Sequence, residues 1–294
     1  MQRARPLAST NYTESLMRSI VGLRAATLFG CLASIAACSD NAATTEPAVG
    51  RSTSSPSAAV LGDELHGRDD VRIVTASGDI TPAVNEFRNL LGTLNPNVAG
   101  EQPGGRREIN WDGVPAGVTN TDAFPGTFFN VNSPRGAVFS TDGTGFRVSD
   151  NGYVDVNLSY ENEFVPFSPK KLFVAVGSTV IDAQFFVAGS NTPATVAGFG
   201  AVFEDVGRAH STTIEYFDAA GHSLLKVAAP RRSDGAGLSF LGAVFDSRLV
   251  SRVRIVAGDT PVGAANFDNV SGAGQKHDIV ATDDFIYGEP RAID

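Results

Sequence analysis

The chain has 294 residues with 23 basic and 32 acidic side chains, a formal charge of −9. That balance argues against a grip on nucleic-acid phosphates, which needs a basic footprint, and against electrostatic docking on anionic lipid. The two cysteines, Cys31 and Cys38, both lie near the N-terminus. The rest of the chain therefore has no disulfide, no cysteine nucleophile and no Cys-ligated zinc or iron–sulfur cluster. Charged residues make up only 19%, beside 31 glycines and 15 prolines, a composition that suits a β-rich domain better than a helical cytosolic enzyme.

In chain order, Arg18 and Arg24 flank an uncharged run from Ala25 to Ala37. It is too short to span a bilayer as a helix but right for the core of a signal peptide. Met17, just before Arg18, is a second candidate start. The run ends in Ile35-Ala36-Ala37-Cys38, which resembles the bacterial lipobox, an aliphatic residue and two small residues before a lipidated cysteine. The resemblance implies cleavage before Cys38, diacylglycerol on its sulfur and acylation of the new N-terminus, and several acyl chains anchor stably where one does not. The alternative is an ordinary secretory peptide with an incidental cysteine. Ser39 is not the Asp of inner-membrane retention, so an outer-membrane or periplasmic-face address is expected. Without residues 1–38 the chain keeps 19 basic and 31 acidic residues, near −12. Ser39 to about Gly62 is rich in Ser, Ala, Thr and Pro without an aromatic residue, which reads as a flexible tether.

Val71-Arg72-Ile73-Val74 is a strand candidate. Thr81 as cap, Pro82 in the first helical position and Gly92 as terminator bracket a helix. Its apolar face is Val84, Phe87, Leu90 and Leu91. Residues 93–105 form a Pro/Gly/Asn-rich loop. Then comes Arg106 to Val114 with the only tryptophan, Trp111. Asn110, Trp111 and Asp112 match the chemistry of a sugar site, an aromatic face beside planar polar groups. The competing reading makes Trp111 a core residue of the first sandwich strand.

From Phe124 onward short apolar runs alternate with turn residues. The pattern predicts strands at 136–140, 145–149, 153–160, 171–176, 180–187, 194–206, 212–217, 223–228, 237–245, 251–257 and 278–287. Period-2 patterning over many short segments predicts an antiparallel sandwich or jelly roll. Asp218-Ala219-Ala220-Gly221 reads as a hairpin turn.

The four histidines, His66, His210, His222 and His277, have no metal-ligand spacing, and there is no nucleophile elbow, P-loop or dinucleotide glycine pattern. Glu161 and Glu163 share one face of a strand, as a glycosidase pair would, but read better as a solvated strand end. Asp283 and Asp284, adjacent in the last strand, point to opposite faces. One then needs a partner inside, either calcium or an Arg or backbone N–H donors.

Three stretches, Gly198 to Val206, Thr213 to Leu224 and Asp283 to Gly288, carry FGA-x-F, D-x-x-G and DDF elements. They resemble secreted bacterial jelly-roll modules of galactose-binding-like type. The resemblance implies glycan binding and a structural Ca2+ linking first and last strands, with Glu108, Asp112, Asp283 and Asp284 as candidate ligands. The expected fold is all-β, an antiparallel β-sandwich (jelly roll) with one short N-terminal helix. The expected order is a signal peptide at 1–37, a lipid-anchored linker at 38–64, a strand–helix–loop segment at 65–105 and the sandwich at 106–290. The expected function is a cell-envelope lipoprotein, membrane-attached through Cys38, that binds a glycan or envelope polymer without catalysis. A structural or adhesion module is the alternative and a glycoside-active enzyme the third.

Overall fold

Residues 70–232, 237–270 and 276–293 are described by a computed structural model. The leader, Cys38 and the tether lie outside them. The strands are β1 (Val71–Ser77), β2 (Arg106–Ile109), β3 (Ala137–Ser140), β4 (Gly145–Ser149), β5 (Leu172–Val176), β6 (Val180–Phe185), β7 (Ala194–Thr195), β8 (Gly198–Glu204), β9 (Thr213–Phe217), β10 (Ser223–Ala228), β11 (Leu238–Phe245), β12 (Arg252–Val256), β13 (Ala281–Gly288) and β14 (Arg291–Ala292). The helices are α1 (Thr81–Leu91) and α2 (Phe128–Val131). One sheet has the order β1-β11-β8-β13-β5-β4, with β2 also paired to β13, and the other has the order β10-β9-β12-β6-β3. β14 pairs with β7. Every one of these strand pairs is antiparallel, so the fold is an antiparallel β-sandwich, as the alternation predicts. Among the described residues no helix is long and apolar enough to cross a membrane.

The two sheets differ in what covers them. β12 alternates, with Val253 and Ile255 buried and Arg252, Arg254 and Val256 half-exposed, which marks a sheet with one inner and one wet face. β8 and β13 do not alternate, and all their residues are buried. Their inner face joins the main core, where Phe199, Phe203, Phe285 and Tyr287 meet Ile214, Tyr216 and Val253 of the opposite sheet. Their outer face is covered by α1 through Val84, Phe87 and Leu91 and by the 153–164 segment through Tyr153, Tyr160 and Phe164.

α1 lies flat because the sheet beneath it lacks side chains at the contact. Gly242 of β11 faces Gly200 of β8, and the Phe87 ring fills the space above the pair. Gly92 ends the helix at φ +93° with its N–H donating to Arg88 O, as its sequence position indicates. Thr81 is not the cap: it is the first helical residue, and the Asp79 carboxylate accepts its N–H at 3.1 Å. The Asp218–Gly221 turn joins β9 to β10 as predicted, with Gly221 at φ +85° and the Asp218 carboxylate accepting the His222 N–H.

Two expectations fail locally. The strand over 153–160 is a run of turns ending in a single 3-10 turn, Leu158–Tyr160. Tyr153 takes φ +64°, its N–H is drawn to the Ser149 hydroxyl, and Val156 and Asn157 donate back to its carbonyl. Local hydrogen bonds thus replace a ladder. The apolar alternation there does not mark one buried face, since Leu158 is 81% exposed. The second departure is α2, a helix the sequence reading did not foresee, whose Phe129 packs edge-on against Trp111.

Candidate metal centre

The expected site residues gather around the junction of β2 and β13, but each meets protein groups there. Glu108 of β2 takes a bidentate contact from Arg88 at 3.0 and 2.8 Å and a second contact from Arg106 at 2.6 Å. Asp284 receives Arg88 at 3.3 Å through Oδ2, while its Oδ1 is buried without a partner. Asp283 accepts the N–H groups of Phe167 and Ser168 at 2.6 and 3.0 Å and the Ser168 hydroxyl at 2.9 Å. Asp112 accepts the Lys171 N–H. The exposed Asn110 contributes its carbonyl to Ser168. Guanidinium and N–H donors therefore meet Glu108, Asp112 and Asp283, while Asp284 has a donor on one oxygen only. Asp283 and Asp284 are both buried because both faces of β13 are covered, and they sit in a bulge: Thr282 faces Phe203 and Phe285 faces Ala201, so two residues stand against Val202 alone.

Trp111 does not present a platform to solvent. It is 1% exposed, stacks on Phe173 with centroids 3.9 Å apart, and meets the edges of Phe129 and Phe285. It lies just beyond β2 at φ +63°, not within a strand. Its position as core is what its burial dictates. A cleft of about 230 Å³ opens beside it, bordered by Asn110, Phe128 and Arg135.

A different acidic cluster has the donor set for a cation. Glu163, Asp205 and Asp268 each place a carboxylate oxygen within 4.8 Å of the other two. Three loops bring them together. Glu163 follows the turn at Leu158–Tyr160, which is stapled to the 263–266 loop. There the Tyr160 hydroxyl contacts the carbonyls of Gly263 and Asn266 at 3.0 and 2.9 Å, and Asn157 Nδ2 reaches Asn266 O at 2.9 Å. These bonds carry Asp268 toward Glu163. Asp268 is also tied to the strand entry by the Ile279 N–H at 2.8 Å. Asp205 comes from the opposite direction, at the end of β8, in a left-handed turn with φ +64°. That turn is held by the buried Asp278, whose carboxylate accepts the N–H groups of Gly207 and Arg208 and the Ser211 hydroxyl.

Asp205 is 1% exposed, and among the described residues no N–H or hydroxyl donates to either of its oxygens. Burial, contact with the Glu163 carboxylate and the charge of Asp268 push it up to about 9. Burial pushes Asp268 up to about 6. Next to Asp205 in sequence, Glu204 is pushed up to about 9 by burial and by the charge of Asp283. The interior at this edge of the sandwich thus concentrates carboxylates that disfavour each other's ionisation. In the sequence Glu163 pairs by spacing with Glu161 alone, and Asp205 stands within the FGA-x-F stretch. Residues this far apart in the chain gave no spacing signal.

Alongside lies an open groove of about 440 Å³. Asp150, Asn151, Asn162 and Lys170 supply planar and charged groups at its walls, with Tyr160 and Phe164 beneath. Asn162 and Phe164 flank Glu163 in sequence, so groove and carboxylate cluster share one segment. Compared with protein-family models and with curated proteins, the chain matches none.

Proposed function

We propose that this protein is a cell-envelope lipoprotein, held to the membrane by an acylated Cys38, whose β-sandwich binds a glycan or other envelope polymer without transforming it. The observation that carries the binding reading is the open polar groove bordered by Asp150, Asn151, Asn162 and Lys170. Carboxamide, carboxylate and ammonium groups on a rigid sandwich suit the vicinal hydroxyls of a sugar chain, and an open trough admits a polymer where a closed pocket would not. The lipobox-like Ile35-Ala36-Ala37-Cys38 and the acyl-chain arithmetic of anchoring support the address.

Asn162 and Lys170 both have positive φ, so glycine removes their side chains without straining the backbone. A saccharide array should show binding that the Asn162→Gly/Lys170→Gly double variant loses while its melting curve stays in place; undiminished binding removes the groove from the reading. Cys38→Ala should move the protein from the membrane fraction to the soluble one, and a variant that still pellets with membranes defeats the anchor.

A second reading, an adhesion or structural module, has its own observation. Leu158 and Phe267 are 81% and 56% exposed on the two loops that Asn157 and Tyr160 staple together, and exposed apolar side chains on neighbouring loops are a usual feature of protein-binding surfaces.

A further inference from the structure

We propose that Glu163, Asp205 and Asp268 together coordinate one hard divalent cation of the calcium class, clamping three loops at one edge of the sandwich. Two independent observations carry this. The first is the geometry of the three carboxylates, whose donor oxygens lie within 4.8 Å of one another. Calcium holds oxygen ligands at about 2.3–2.6 Å, so two oxygens on opposite sides of one ion are about 4.8 Å apart. The second is Asp205 itself, 1% exposed, with neither oxygen receiving a hydrogen bond from the described residues, and positioned within that cluster. A buried carboxylate without a donor is costly unless something positive completes it. Two other buried carboxylates nearby have that completion from the protein, Asp278 from the amides of Gly207 and Arg208 and Asp283 from those of Phe167 and Ser168; Glu204 is also without a donor among the described residues but is not one of the three converging carboxylates.

Three carboxylates offer up to six oxygens, and solvent completes the shell from the side of the half-exposed Glu163 and Asp268. The softer transition metals prefer imidazole or thiolate, neither of which is in the cluster. The site is distinct from the Glu108, Asp112, Asp283 and Asp284 set that the jelly-roll resemblance implies, and it does not depend on which ligand the groove takes.

The test is thermal melting and titration calorimetry of the detergent-solubilised full-length protein in chelator, in Ca2+ and in Mg2+. The expected result is a melting temperature several degrees higher in millimolar Ca2+ than in chelator, rising with the logarithm of free Ca2+, with a weaker response to Mg2+. Asp205→Asn and Asp268→Asn should abolish the Ca2+ response while melting no lower than wild type in chelator, because each relieves carboxylate repulsion. Glu161→Gln, on an exposed neighbour, should keep the full response. Identical melting in Ca2+ and chelator would overturn the site. So would a Ca2+ response that survives in both Asp variants, or one that Mg2+ reproduces at equal concentration.

Discussion

The Trp111 indole donates a 2.6 Å hydrogen bond from Nε1 to the backbone carbonyl of Asp283. The carbonyl belongs to the bulge in β13, where the ladder leaves a backbone group unpaired, and the indole supplies the missing donor. One buried ring therefore satisfies the bulge and fills the core between Phe173, Phe129 and Phe285.

From this bond we expect Trp111 variants to fail in folding, not in ligand capture. Trp111→Ala should cost about 3–5 kcal/mol, as large-to-small changes in packed cores do. Trp111→Phe keeps much of the volume but strands the Asp283 carbonyl, for about 1–3 kcal/mol. Urea denaturation measures both. A Trp111→Ala protein that is as stable as wild type would contradict the packing described above.

A second expectation concerns Arg107 and Glu289, a fully buried bidentate pair at 2.5 and 2.7 Å. Arg107 also reaches the carbonyls of Pro96 and Pro134, and Glu289 accepts Asn95 Nδ2 and the Gln102 N–H. The pair thus ties the 93–105 loop to the end of β13. Glu289→Ala leaves a guanidinium buried without its anion and should cost about 3–5 kcal/mol. Arg107→Met/Glu289→Leu, which removes both charges, should recover a large part of that loss. Denaturant midpoints of the single and double variants decide it.

The third expectation is a pH dependence from Asp283. Burial and the adjacent Asp284 carboxylate push its carboxyl from the ordinary 3.8 up to about 8, against the lowering effect of the Ser168 donors. Glu204 of β8, itself pushed up to about 9 by burial and by the charge of Asp283, and Tyr153 are the neighbours that stay neutral through that range. A raised folded value means that the native state keeps a proton the unfolded chain has already released. The stability this proton contributes is complete below about pH 4 and is lost as pH rises toward about 8. With chelator present, urea midpoints should fall across that window, and Asp283→Asn should flatten the slope. A midpoint in the variant that falls as steeply as in wild type would remove Asp283 as the cause.

The glycine pair under α1 yields the fourth expectation. A methyl group on Gly242 would sit 2.6 Å from Phe87 Cε2, closer than any relaxed contact. Gly242→Ala should therefore destabilise by about 1–3 kcal/mol through overpacking. Combining it with Phe87→Leu should give a smaller loss than the sum of the singles, because the shorter side chain vacates the contested space. Strict additivity of the two changes would show that the helix does not rest on this pair.

Much of the fold was legible locally. The Asp218–Gly221 turn, the Gly92 terminator and the alternating β12 each depend on neighbours within a few residues, and the chain carries those signals in its own order. The class of the fold followed from many such short segments together. Where the reading went astray, at 153–160, the alternation of Val154, Val156 and Leu158 was real, but Ser149 and the left-handed Tyr153 offered the backbone closer hydrogen-bond partners than any strand. Trp111 carried two readings because an aromatic residue beside Asn and Asp looks alike in a sugar site and in a core. Only its packing against Phe173 and the Asp283 carbonyl separates them.

By itself, then, the sequence determined the β-sandwich class, the Asp218–Gly221 turn and the amphipathic helix α1, all set by short-range pattern and backbone preference. The tertiary structure alone decided which carboxylates are met by guanidinium or N–H donors, as Glu108 and Asp283 are, and which converge on one another, as Glu163, Asp205 and Asp268 do. The physical reason is that ligand distance is a property of three loops converging across the sandwich edge, held by contacts such as Tyr160 to Gly263 and Asn266, and no spacing along the chain encodes it.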